Sequence, residues 1–104
     1  MSGPALSVGR GVVTEMSRVA AYEVPGVSRV SRGGPRWLAA LSGPPVVVRI
    51  RDHRVHVRVF VVVRPGQPLS AVADGVRSAV ERTVERLLGL DLGAVTVIVD
   101  GVGG

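Results

Sequence analysis

A strict alternation between residues 55 and 64 constrains the fold more than any other feature of this sequence. Valine occupies every odd position from 55 to 63, and the even positions carry His56, Arg58, Phe60, Val62 and Arg64. Successive side chains of a strand point to opposite faces, so this period of two predicts a strand with one wholly apolar face. Residues 46–51 predict a second strand, joined to the first by a turn at Asp52 and His53.

Two other stretches follow the period of an α-helix. The first covers about three turns and places Val12, Met16 and Val19 at i, i+4 and i+7, with Val13 and Ala20 beside them. The second covers about residues 70–88, and its apolar stripe consists of Leu69, Val72, Val76, Val80, Val84 and Leu87. We expect Gly89 to end it, because glycine readily adopts the left-handed conformation that follows a helix.

Shorter segments complete the order of elements. Residues 6–8, 27–30 and 94–99 predict strands, and the glycines of residues 101–104 indicate a frayed tail. Residues 32–45 are rich in glycine and proline, and the apolar stretch 37–41 within them is too short for a stable helix of its own. We expect a mobile loop there, carrying the only tryptophan, Trp37.

The predicted order, β-α-β-β-β-α-β, indicates an α+β fold, a two-layer sandwich with two helices packed on one face of a small mixed sheet. The length of 104 residues fits a single domain, with its core at about residues 5–102. The absence of cysteine excludes disulfides and thiolate metal sites. The first residues lack the pattern of a secretion signal and no apolar run could span a bilayer, so we expect a cytoplasmic protein.

Two helices cover only one side of such a sheet, and the other side is the candidate partner-binding face. Its predicted residues are Arg49, Arg51, His56, Arg58, Phe60 and Val62. Apolar side chains among arginines are typical of a protein-binding surface. Alternatively, Phe60 and Val62 lie under the Trp37 loop as ordinary core. Arg36 and Trp37 are candidate contacts on the loop itself.

The charge balance of the chain favours a negatively charged partner. There are 13 basic residues, all arginine, against 8 acidic ones, which gives a formal net charge of +5. A genome rich in G and C would explain arginine in place of lysine but not the net charge. A basic excess admits nucleic acid, anionic lipid or an acidic protein as partner.

The sequence offers no convincing catalytic, cofactor or metal site. His53 and His56 are three positions apart, so on a strand they point to opposite faces and cannot easily share one ion. No serine lies in a G-x-S-x-G pattern, and the glycines around Arg10 lack the third glycine of a dinucleotide loop. We therefore expect neither a cofactor nor enzyme activity.

A nucleic-acid-binding domain is the alternative that stays open. The α-β-β-α-β core is similar in outline to the KH class, but the sequence has no GXXG loop between consecutive helices. The only aromatic residues are Tyr22, Trp37 and Phe60, which leaves few side chains to stack on bases.

The order and spacing of several short motifs resemble the alkaline shock protein family, also called the Gls-type envelope stress response family. The resemblance covers about residues 5–102 and is carried by Leu6-Ser7-Val8-Gly9, Val24-Pro25-Gly26-Val27, the two valine strands, Gly89-Leu90, Val95-Thr96-Val97 and Val99-Asp100-Gly101-Val102. The family's tyrosine-glycine turn is replaced by Arg64-Pro65-Gly66, and a Gly-Pro-Trp loop is added.

This resemblance implies an α+β domain without catalysis that acts in envelope stress response and cell-envelope homeostasis. It implies an adaptor or assembly module in the cytoplasm, held near the inner face of the membrane by a small membrane-anchor protein, by self-association or by both. The family offers no catalytic residues to carry over. Direct binding of the arginines to anionic lipid is a further possibility.

Overall fold

The computed structural model describes residues 9–104, and the predicted first strand at residues 6–8 lies outside them. The elements follow in the order α1 (Arg10–Tyr22), β1 (Val27–Val30), α2 (Arg36–Leu41), β2 (Val46–Arg51), β3 (Arg54–Val63), α3 (Leu69–Arg82) and β4 (Leu92–Val102). A π-helical turn, Thr83–Leu87, extends α3. Side chains of α1 and α3 pack in one cluster with the same side of the sheet. This arrangement confirms the predicted two-layer α+β fold.

The central strand of the four-stranded mixed sheet is β3. β4 runs parallel along one edge of β3, while β1 and β2 are antiparallel to it. A strand has two edges, so β1 and β2 share the edge opposite β4, with β2 beside residues 54–59 and β1 beside residues 61–63. The long α3 crossover is what allows β4 to return parallel to β3.

The chain leaves the sheet between β1 and β2 and returns beside the same residue of β3. The N–H of Ser31 donates to the Phe60 carbonyl at 3.1 Å, and the N–H of Phe60 donates to the Pro45 carbonyl at 2.8 Å. Residues 31–45, which we call the edge loop, thus interrupt what would otherwise be one continuous edge strand.

The core consists almost entirely of valine. The odd-numbered valines of β3 are all buried, and they pack with Val72, Val76, Val80 and Val84 of α3 and with Val13 of α1. Full burial of one valine contributes about 1.5–3 kcal/mol. Branched side chains have few χ1 rotamers, so a valine core also holds its elements rigidly. The predicted apolar faces of β3 and of the middle of α3 are therefore confirmed.

The predicted stripe of α1 is displaced. The buried residues are Val13, Ser17 and Ala21, whereas Val12 and Val19 are exposed. Small side chains at 17 and 21 let α1 approach β1, β2 and α3 closely, and this close approach decides which side faces inward. The centre of the buried stripe is Ser17, a polar residue, so the spacing of apolar residues does not indicate the stripe.

The end of α3 turns Leu87 outward. The N–H of Leu88 donates to the Thr83 carbonyl at 3.0 Å, five residues back, which is the hydrogen bond of a π-helix. This wider turn leaves Leu87 exposed, and Leu69 at the other end of the predicted stripe is exposed as well. Gly89 follows with φ of +66°, as expected for the residue that ends the helix.

Two other expectations need correction. Residues 36–41 form a short helix, α2, because the loop is long enough to fold back on itself and the Ser42 N–H caps the last carbonyls. The last strand reaches Val102 instead of ending at 99, because β3 still offers free backbone groups there. The N–H of Gly103 donates to the Val63 carbonyl at 2.9 Å.

Candidate functional site

The sheet face turned away from α1 and α3, the reverse face, carries a basic groove at the β2 end. The groove encloses about 460 Å³. We call it the arginine groove, and its lining residues are Val47, Arg49, Arg51, His56, Val57, Arg58, Ala94 and Thr96. Four of the six residues predicted for the partner-binding face therefore line one groove: Arg49, Arg51, His56 and Arg58.

Strand register brings these side chains together. On β2 and β3, Arg49 lies opposite His56 and Val47 lies opposite Arg58. On the other side of β3, β4 contributes Ala94 beside His56 and Thr96 beside Arg58. The small side chains of β4 leave open space next to the long side chains of β2 and β3, which forms the groove.

A bulge in β4 makes room for His56. Leu92 pairs with Val55 and Ala94 with His56, so Gly93 is an extra residue in β4. A Cβ added to Gly93 would overlap the imidazole of His56. Only glycine leaves this space open, and the His56 ring occupies it.

A two-residue turn closes the β2–β3 hairpin beside the groove. Asp52 and His53 have φ of 50° and 63°, which is the left-handed conformation required at both central positions of a type I′ turn. The turn fixes the register so that Arg51 and Arg54 lie directly opposite each other. Arg54 therefore extends the row of arginines, a role that the sequence analysis missed although Arg54 is an even position of the same strand.

Phe60 and Val62 do not belong to the exposed surface, which corrects the sequence-based expectation. They are 6% and 2% exposed. The start of the edge loop crosses the reverse face here: the Arg32 guanidinium lies over the Phe60 ring, and the Gly33 N–H donates to Asp100 Oδ2 on β4 at 2.8 Å. The alternative, in which the loop 32–45 covers this part of the sheet, is correct for Phe60, which lies under Arg32 of that loop.

Trp37 itself is largely exposed. It is 68% exposed, and Arg36 beside it is exposed too. Arg36, Ala39 and Ala40 of α2 line the small cavity shared with Ser31, Arg32 and Pro45, and the side of α2 that carries Trp37, Leu38 and Leu41 points outward. The two candidate loop contacts thus lie on an exposed helix and are not part of the arginine groove.

The groove arginines lack carboxylate partners in the part of the chain that the structure describes. The ion pairs there join Arg18 to Glu15 and Arg77 to Asp74, both on exposed helix surfaces. The hydrogen bond from Arg18 lowers the pKa of Glu15 below its ordinary value. No acidic side chain lines the groove. The positive charges of the groove are therefore not balanced internally.

Residues 9–104 contain no group of three His, Asp or Glu side chains that could hold a metal ion. The helices in this range also include none that is both long and apolar enough to cross a membrane. What the groove can do chemically is bind oxyanions, since each guanidinium can donate two parallel hydrogen bonds to one carboxylate or phosphate.

Comparison with known proteins decides the family. Residues 4–103 match the model of the alkaline shock protein family, which is described as having a cell envelope-related function. The chain belongs to the alkaline shock protein family. The match confirms the resemblance that the motifs indicated, and it covers nearly the whole chain.

A curated relative of this family member is the uncharacterized protein YloU of Bacillus subtilis strain 168. The two are 33% identical over 57 residues, which is 55% of this chain and 48% of YloU. The match thus spans about half the length of that relative.

Solved structures with the same fold include the copper form of the MamM C-terminal domain. It has a TM-score of 0.64 at 17% identity, over 88% of this chain and 85% of the other. A zinc form of a variant of that domain has a TM-score of 0.54, also at 17% identity, over 88% and 81% of the two chains. At this identity the likeness concerns the fold alone.

Proposed function

We propose that this member of the alkaline shock protein family is a non-enzymatic adaptor for cell-envelope homeostasis that works at the inner face of the cytoplasmic membrane. In this proposal the arginine groove holds an acidic segment of a small membrane-anchor protein. The supporting observation is the groove itself, in which Arg49, Arg51 and Arg58 surround an open space without a carboxylate.

Electrostatics favours an acidic occupant. Like charges at directly opposed positions of two strands destabilise a sheet, and Arg51 lies opposite Arg54. A carboxylate between such guanidiniums removes the repulsion and gains charge-assisted hydrogen bonds. Repulsion between these arginines therefore destabilises the unbound domain, and binding of an acidic segment removes that repulsion.

The lining of the groove favours a peptide segment over a nucleic acid. Base recognition on a sheet uses exposed aromatic rings, but Phe60 is covered by Arg32 and the groove lining holds no Phe, Tyr or Trp. A nucleic acid would contact only the arginines, which would give weak and salt-sensitive binding.

Site-specific photo-crosslinking in cells tests this proposal. A photoreactive residue replaces Thr96 in the groove, and in a control chain it replaces Ser78 on the exposed side of α3. We expect one discrete membrane protein with an acidic cytoplasmic stretch to crosslink at position 96 and not at position 78.

Variants in which two arginines are replaced by glutamate are the second part of the crosslinking test. Arg49→Glu with Arg58→Glu should abolish the crosslink, whereas Arg82→Glu with Arg86→Glu makes the same change of net charge on the helical layer and should leave it intact. A crosslink at position 96 to a second copy of this chain, or a nuclease-sensitive one, would contradict the membrane-anchor proposal, as would crosslinking of the same protein at position 78.

A further inference from the structure

The edge loop presents an apolar ridge to solvent. Trp37, Leu38 and Leu41 lie on one side of α2, at i, i+1 and i+4, and all three are exposed, with Leu41 at 78%. No residue of α2 is buried in the core. A six-residue helix is marginal by itself, and exposing two leucines and a tryptophan to water is unfavourable.

The segment of sequence that contains this ridge has arginine as its only charged residue. Residues 24–51 contain no Asp or Glu, and they include Arg29, Arg32, Arg36, Arg49 and Arg51. Arg36 is the first residue of α2 and is exposed beside Trp37. An apolar ridge on a chain segment that carries only positive charges is complementary to a surface with negative charge outside and hydrocarbon below.

We infer that the ridge formed by Trp37, Leu38 and Leu41 inserts into the surface of an anionic lipid bilayer, with Arg36 contacting lipid phosphates. Tryptophan prefers the interface between headgroups and acyl chains, because its ring is apolar and its N–H donates to polar groups. Six residues cannot span a membrane, so the contact is peripheral. This inference does not rest on the proposed function, since α2 lies outside the arginine groove.

The position of α2 permits such contact without unfolding. Arg32 over Phe60 and the bond from Gly33 to Asp100 hold the start of the edge loop, and the Phe60–Pro45 hydrogen bond holds its end. The ridge is therefore carried on a loop tied to the sheet at both ends. Insertion would leave the valine core unchanged.

Fluorescence of Trp37 tests the inference directly, because it is the only tryptophan of the chain. The intact chain is titrated with vesicles of phosphatidylglycerol and phosphatidylcholine in equal amounts, and with vesicles of phosphatidylcholine alone. With anionic vesicles, we expect the Trp37 emission to shift to shorter wavelength and its quenching by acrylamide to fall. Pure phosphatidylcholine should produce a much smaller change.

Variants separate insertion from attraction by charge alone. Leu38→Ser with Leu41→Ser should lower partitioning about a hundredfold, or about tenfold per leucine, which corresponds to ~1.4 kcal/mol each. Leu69→Ser with Leu87→Ser changes two exposed leucines of the helical layer and should leave partitioning unchanged. Circular dichroism checks that both variants are folded.

Three results would overturn the inference. One is vesicle binding without any change in Trp37 emission, and another is equal partitioning of the two leucine variants. The third is a blue shift that grows with protein concentration in the absence of vesicles, which would assign the ridge to contact between two copies of the chain.

Discussion

The guanidinium carbon of Arg32 lies 3.5 Å from the centre of the Phe60 ring, on the side of the sheet opposite the core. This stacking divides the reverse face in two. At one end Phe60 is covered by Arg32 of the edge loop and Val62 is buried as well, and at the other end the arginine groove stays open. The division sets the limits of the surface that is free to bind a partner.

Removal of this contact should loosen the edge loop. Arg32→Ala takes away a cation–π contact and the packing of the arginine stem on Phe60, so we expect the free energy of unfolding to fall by about 1–2 kcal/mol. Urea denaturation measures it. Arg29→Ala, at an exposed position of β1, is the control and should change stability by less than about 0.5 kcal/mol. Equal losses in both variants would contradict the role of the stacking.

A methyl group at position 93 should displace His56. Gly93→Ala puts a Cβ into the space that the imidazole occupies, so the ring must leave its preferred position, and we expect a loss of about 0.5–1.5 kcal/mol in the free energy of unfolding. Gly101→Ala in the same strand is the control, because the nearest atoms to a Cβ there are 3.8 Å away.

The same clash predicts rescue by a second substitution. In the His56→Ala background the added methyl meets no ring, so Gly93→Ala should cost much less than in the natural chain. The coupling free energy of this double-mutant cycle, obtained by urea denaturation, should reach at least about 0.5 kcal/mol. Additive losses would show that Gly93 is required for a reason other than His56.

A change of charge at position 54 should raise the free energy of unfolding. Arg54→Glu replaces a repulsive pair with Arg51 by an attractive one, and we expect a gain of about 0.2–1 kcal/mol in unfolding free energy. Arg54→Gln removes only the repulsion and should gain less. Thermal denaturation in low salt compares the three chains, and a loss of stability in Arg54→Glu would contradict the assigned register.

The Glu15–Arg18 pair predicts a pH-dependent contribution to folding. Arg18 lowers the pKa of Glu15 chiefly by donating hydrogen bonds to its carboxylate. The folded-state pKa is below the unfolded one, so the contribution is present above the unfolded value and is lost as pH falls through the folded value. NMR titration of the Glu15 carboxyl should give a higher pKa in Arg18→Gln, and an unchanged midpoint would contradict the pairing.

Much of the fold could be predicted because valine marks each buried face. The alternation in β3 and the stripe at Val72, Val76 and Val80 report directly on burial, and the turn at Asp52 and His53 follows from the two strands it joins. The stripe of α1 could not be placed, since its centre is Ser17. The buried position of that residue depends on how closely neighbouring elements approach, which no local pattern contains.

The site was predictable only in part, for a related reason. Arg49, Arg51, His56 and Arg58 follow from strand alternation, and so does Arg54 once the turn is fixed. The burial of Phe60 depends on Arg32, which lies 28 positions earlier and crosses the sheet in a segment without periodicity. Neither that crossing nor the bulge at Gly93 leaves a signal in the spacing of residues.

The central claim is that the arginine groove binds acidic segments. Titration of the isotopically labelled chain with a hexaglutamate peptide, followed by amide chemical shifts in NMR spectra, tests this claim most directly. We predict that the largest shifts occur at Arg49, His56, Arg58 and Thr96 and disappear in Arg49→Glu with Arg58→Glu. Two results would contradict the account. One is shifts at the arginines of α3 and of the π-helical turn that are as large as those in the groove, and the other is shifts in the helical layer only.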